Sequence, residues 1–126
     1  MEKSGKIRVM IVDDSAIIRQ MIKKYLSDMN IEIVGTAGDG NSALQMFKET
    51  RPDVVTLDIT MPKMDGLTVL EEMIKLNTNA KIMVITALTD KATGMKAIKT
   101  GAKGFLSKPF TPDKLKSSFD RLINVN

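Results

Sequence analysis

Two adjacent acids, Asp13-Asp14, a lone mid-chain acid, Asp58, a threonine at Thr86 and a lysine before proline, Lys108-Pro109, are the side chains here best suited to chemistry. Each follows a short apolar run, so each stands where a strand would end. Three carboxylates brought together repel, and some take up protons unless a cation neutralises them. With no cysteine and no histidine in the chain, every donor on offer is oxygen. That selects a hard ion, and Mg2+ fits because it accepts one or two carboxylates while water and phosphate oxygens complete its octahedron. Lys108 adds a fixed positive charge suited to a phosphoryl oxygen, and Thr86 adds a hydroxyl that can bond to an arriving group. Such a set is built to put a phosphoryl group on a carboxylate.

Taken one at a time, these residues have bland readings. An aspartate after a strand is usually a cap or turn former, and Asp14 or Ser15 can cap the helix that follows. A Lys-Pro pair makes an ordinary turn, and a threonine at a strand end usually packs. Complementary chemistry at four strand ends is what favours the functional reading.

The elements that must position them read clearly. Ile7 to Val12, Ile31 to Val34, Val54 to Leu57, Ile82 to Ile85 and Gly104 to Ser107 are short runs rich in Val and Ile, suited to strands buried on both faces. Between them, Ile18, Met21, Ile22, Tyr25, Leu26 and Met29 recur at helical spacing. Ala43, Leu44 and Phe47 mark a second helix with Asn41 or Ser42 as its cap, and Leu67, Leu70, Met73 and Ile74 mark a third. A fourth spans about 91–100 and stops at Gly101. The last opens on Thr111-Pro112, a cap followed by proline at the first helical position. Five strand–helix repeats predict a single α/β domain, a doubly wound (βα)5 parallel sheet with helices on both faces. Such sheets bind ligands beyond the carboxyl ends of their strands, where the acids, Thr86 and Lys108 fall.

Composition excludes much else. At 126 residues, 43% apolar and without a linker or low-complexity run, the chain reads as one domain over 1–126 with no output domain. The absence of Cys and His removes disulfides, zinc sites, Ser–His triads and a phosphohistidine carrier. No apolar stretch is long enough for a signal peptide or a membrane span, so a soluble, cytoplasmic protein without membrane insertion is expected. The formal charge is +4, but the lysines are scattered and there is one Tyr and no Trp, which argues against direct DNA binding. Neither G-x-G-x-x-G nor G-x-x-x-x-G-K-[ST] occurs. The stretch after Asp58 lacks the alternating acids of an EF-hand and the second aspartate of aspartate-based phosphatases.

Val12-Asp13-Asp14-Ser15, Asp58-Ile59-Thr60-Met61-Pro62-Lys63-Met64-Asp65-Gly66, Thr86-Ala87 and Lys108-Pro109-Phe110, in that order and spacing, resemble the receiver domain of two-component response regulators. The resemblance covers about 8–122 and is nearest to the chemotaxis regulators that consist of a receiver alone. It implies a flavodoxin-like fold with strand order 2-1-3-4-5, an arrangement that comes with the resemblance and not from spacing. It implies Asp58 as phosphoacceptor from a sensor histidine kinase, here of the chemotaxis type. It implies Mg2+ held by Asp14, Asp58 and the Thr60 backbone carbonyl, with Asp13 helping through water. Lys108 would pair with phosphoryl oxygens, aided by a cis peptide to Pro109. Thr86 would swing toward the phosphoryl group past the small Ala87, and Phe105 would move inward with it. The bland reading of Phe105 is a strand residue packed under the last helix.

The output implied is binding to another protein, for a chemotaxis regulator the flagellar motor switch, with a phosphatase as a further partner. Lys91, Lys96, Lys99, Lys103, Lys114 and Lys116 lie on the expected output surface, where a solvated helix face accounts for them. Thr60 and Leu88 flank the expected path of hydrolytic water and carry no carboxamide or carboxylate, which predicts slow self-dephosphorylation. Other readings stay open: a phosphorelay intermediate, the receiver portion of a chemoreceptor methylesterase or of a DNA-binding regulator, and a magnesium-dependent phosphatase of small phosphoesters.

Overall fold

The computed structural model describes residues 5–60, 65–87 and 90–124. Its elements alternate strictly: β1 (Ile7–Val12), α1 (Ala16–Tyr25), β2 (Ile31–Ala37), α2 (Gly40–Thr50), β3 (Val54–Asp58), α3 (Gly66–Leu76), β4 (Lys81–Ala87), α4 (Lys91–Thr100), β5 (Gly104–Lys108) and α5 (Pro112–Ile123). The five strands form one parallel sheet in the order β2-β1-β3-β4-β5. The sheet reverses its winding at β1, which opens a crevice beyond the carboxyl ends of β1 and β3.

The near-continuous apolar runs are explained by two cores. Successive side chains of a strand point to opposite faces. Met10, Val12, Val55, Leu57, Ile82 and Val84 therefore pack with α2, α3 and α4 through Phe47, Leu70, Met73 and Ala97. Val9, Ile11, Val54, Met83 and Ile85 pack on the other face with α1 and α5 through Ile22, Leu26, Leu115 and Phe119. Each fully buried side chain of this size contributes roughly 1.5–3 kcal/mol relative to exposure.

All five helices start on a side-chain cap: Ser15, Asp39, Asp65, Asp90 and Thr111 each accept a hydrogen bond from the backbone N–H three residues on. Their N-termini, with their partial positive charge, lie at the same pole as the strands' carboxyl ends. α4 ends at Gly101 with φ at 136°, as its sequence suggests.

Two local expectations are corrected. The cap of α2 is Asp39, neither Asn41 nor Ser42, because its carboxylate takes both the N–H and the hydroxyl of Ser42 at 2.8 and 3.0 Å. The apolar stripe reaching Met29 overstates α1, whose last helical residue is Tyr25. Ser27 Oγ donates to the Lys24 carbonyl at 2.7 Å and competes with the helical ladder. β2 and β4 run longer than their apolar runs, through Gly35, Thr36 and Ala37 and through Thr86 and Ala87. Among the described residues no helix is long and apolar enough to cross a membrane.

Candidate functional site

Strand register builds the site. Val12 pairs with Leu57, so the next residue of each strand, Asp13 and Asp58, meet across the β1–β3 seam. On the far side of β4, Ala87 pairs with Lys108, which puts the lysine at the same level. Carboxylate oxygens of Asp13, Asp14 and Asp58 all lie within 4.8 Å of one another. Asp13 and Asp58 are buried, whereas Asp14 is exposed at the mouth.

Lys108 neutralises the pair from above. Its Nζ donates to Asp58 Oδ2 at 2.8 Å and stands 3.0 Å from Asp13 Oδ2, the second contact an ion pair outside hydrogen-bond angles. The other Asp58 oxygen, Oδ1, accepts from both the backbone N–H and the hydroxyl of Thr60, each at 2.9 Å. Asp13 Oδ1 accepts from the Ser15 N–H at 2.9 Å.

The ionisation of the cluster is uneven. Burial is the main reason that the Asp13 carboxyl lies above its ordinary pKa, with the Asp58 charge adding to it and Ser15 and Lys108 opposing it. Lys108 is also raised: burial works against its charge, but its hydrogen bond to Asp58, its close contact with Asp13 and the charges of both acids outweigh it. The two partners differ because Asp13 has no exposed side-chain surface while a quarter of the Lys108 side chain reaches solvent. One ammonium does not fully compensate the buried acids, and an all-oxygen, acid-rich site of this kind suits a hard divalent cation.

Thr86 is fully buried at the end of β4, and its hydroxyl has no hydrogen-bond partner. An unpaired buried hydroxyl is costly, so its presence here suits a group that gains an acceptor when a ligand arrives. The Lys108–Pro109 peptide is cis. Ala87, Lys108, Pro109 and Phe110 join Ile18 and Met21 around an apolar cavity of about 350 Å3 beside the site. Phe105 is half-buried and packs on the face of α2, α3 and α4. It does not lie under α5, as the bland reading had it, because Leu106 takes that face.

Two residues to which the sequence reading gives no role support the site. Arg19 donates to the Asp13 carbonyl at 2.6 Å, and Asp13 N–H donates to the Ala37 carbonyl at 3.0 Å, so the backbone of Asp13 is held on both sides. An arginine one turn past the Ser15 cap was the available signal, and it is weak alone. Gly66 is the second: a Cβ there would lie 2.7 Å from Ile59 Cβ and 2.9 Å from Ile59 O. Only glycine lets α3 begin against the residue after Asp58. Leu88 and Met61-Pro62-Lys63-Met64 lie outside the described residues.

The comparisons with known proteins agree with this geometry. Residues 9–120 match the family described as the response regulator receiver domain. The chain is 42% identical over 115 residues to the chemotaxis protein CheY of Thermotoga maritima, covering 91% of this chain and 96% of that one. It is 46% identical over 106 residues to a protein-glutamate methylesterase/protein-glutamine glutaminase of Xanthomonas oryzae, covering 82% of this chain but 29% of that protein. A CheX–CheY complex with BeF3 and Mg2+ from Borrelia burgdorferi contains a chain that superposes with a TM-score of 0.88 at 33% identity, covering 94% of this chain and 90% of that one.

Proposed function

The chain belongs to the response regulator receiver family and is a CheY-like receiver domain, and from that premise we propose that it is a phosphorylation switch whose acceptor is the Asp58 carboxylate. The observation that carries the reading is the meeting of Asp58 with Asp13, Asp14 and Lys108 at one strand-end pocket.

A carboxylate oxygen of Asp58 attacks the phosphorus of a phosphohistidine on a sensor histidine kinase. An O–P bond forms, the P–N bond breaks, and its electron pair returns to the imidazole. Asp13, Asp14 and Asp58, with the Thr60 backbone carbonyl, are the ligands suited to Mg2+. When bound, the ion offsets the charge of the carboxylates and of the incoming phosphoryl oxygens. Lys108 is free to turn from the carboxylates to a phosphoryl oxygen, a point contact made by an ammonium. The Thr86 hydroxyl acquires the acceptor that it lacks, and the small Ala87 leaves the approach open. Phe105 follows Thr86, so that added charge at Asp58 is read on the α4–β5–α5 surface.

The chain is in this reading a switch and not an enzyme, with self-phosphorylation and self-dephosphorylation as its only chemistry. It works in the cytoplasm, and its target is the flagellar motor switch or another protein. The Borrelia CheY was solved with CheX, which supports a phosphatase as a further partner. The match to a CheY relative extends over 91% of this chain, against 82% for a methylesterase, which favours the CheY-like reading over a methylesterase receiver. The decisive experiment is incubation with acetyl phosphate, with and without Mg2+, followed by mapping of the modified residue. One phosphoryl group on Asp58 that depends on Mg2+ supports the reading. Continuous turnover of phosphoester, or modification elsewhere, overturns it.

A further inference from the structure

α4 has a glycine in its interior, Gly94, where alanine would be the better helix former. What occupies the missing side chain's place is the ring of Phe105. A Cβ at residue 94 would overlap Phe105 Cε2 and lie 2.8 Å from both Cδ2 and Cζ. Distances under 3.0 Å are not tolerated, so a methyl group here and the ring in its present place exclude each other. The ring is the movable partner, because the atoms met are its far edge and it is only half-buried.

The same ring is coupled to the site. Phe105 pairs in register with Val84, and Thr86 lies two residues further along the same face of β4. Thr86 carries one of two buried hydroxyls, with that of Thr56, that have no partner among the described residues, and it is the one at the strand end beside the pocket. The chain therefore links an unsatisfied group at the pocket, a ring two residues away and a notch in α4.

Resting on the proposal that Phe105 moves on phosphorylation, we infer that Gly94 is a positioning residue of the switch: its missing side chain is the seat that holds the Phe105 ring against α4 in the unphosphorylated chain. Residue 94 then sets how readily the ring leaves. A side chain there empties the seat without any phosphoryl group.

The test uses the whole chain labelled with 3-fluorophenylalanine. The four phenylalanine signals are assigned with Phe105→Leu, and 19F NMR spectra are taken with and without beryllium fluoride plus Mg2+. In the wild type the Phe105 signal shifts when the phosphoryl mimic is added. In Gly94→Ala it is expected to be displaced already, and to respond to the mimic by less than half as much. Wild-type position and full response in the variant overturn the inference and leave the switch reading intact. A wild-type signal that ignores the mimic refutes Phe105 as the switch and the inference with it. Thermal melts supply a second arm: Gly94→Ala should raise Tm more in a Phe105→Ala background than in the wild type. Equal changes in the two backgrounds also overturn the seat.

Discussion

Lys108 and Asp58, fifty residues apart in the chain, meet at 2.8 Å between ammonium and carboxylate, while the same ammonium stands 3.0 Å from Asp13. The lysine is a shared counter-charge for two buried acids, so its chemical form matters as much as its charge. Lys108→Arg is expected to leave Mg2+-dependent phosphorylation of Asp58 measurable and to uncouple it from the response, because a planar fork does not reproduce a point contact. The check is the Phe105 19F response to phosphorylation. A response of wild-type size in the variant would count against the coupling role. Lys108→Met should cost about 1–3 kcal/mol of stability by leaving two carboxylates without their cation.

Asp58→Asn should abolish labelling by acetyl phosphate. A carboxamide offers no anionic oxygen to attack phosphorus, while its size lets Thr60 and Lys108 stay in place. Intact-mass spectrometry after incubation with Mg2+ gives the answer, and any phosphoryl adduct on the variant would show a second acceptor.

The raised pKa of Asp13 makes a signed prediction about pH. A carboxyl whose pKa is higher folded than unfolded favours the fold while it is protonated, and costs stability as pH rises through the raised value. Without Mg2+, Asp13→Asn should therefore melt at a higher temperature than the wild type at pH 7, and the difference should shrink as pH falls below the ordinary carboxylate range. Adding Mg2+ should stabilise the wild type by binding linkage, by about 2.7 kcal/mol at one hundred times Kd, seen as a higher Tm, and should do little for the variant. Equal responses to Mg2+ would remove Asp13 from the ion's site.

Thr60 has its hydroxyl committed to Asp58 Oδ1 and carries no carboxamide to orient an attacking water. The acyl phosphate should consequently be long-lived in the presence of Mg2+, and Thr60→Asn should shorten its lifetime. Decay is followed by loss of the phosphorylated mass after the donor is removed. A wild-type lifetime of seconds would sink this expectation.

Gly66→Ala should destabilise the fold by about 1–3 kcal/mol, since the added methyl meets the Ile59 backbone rather than a movable side chain. Urea unfolding would show it. A change within a few tenths of a kcal/mol would mean that α3 can start elsewhere.

Much of this molecule is local, and local physics is written along the chain. Runs such as 82–85 are uninterrupted because β4 is covered on both faces, and Thr111-Pro112 opens α5 because each residue has one good place at a helix start. The acids, Thr86 and Lys108 were legible as candidates for one pocket for the same reason: each sits where its own strand stops. The strand order, by contrast, came with the family resemblance, since nothing within a single strand says which neighbour it will take.

What tertiary structure alone decided are the contacts between residues far apart in sequence. Arg19 reaches the Asp13 carbonyl, Gly66 abuts Ile59, and the Phe105 ring fills a gap in α4 instead of lying under α5. Periodicity tells which face of an element is apolar but not which helix will cover it, because that depends on register and on the side of the sheet each crossover takes. The chemistry of the pocket is thus a property of the residue types, and its power to act on distant surfaces is a property of how the layers close.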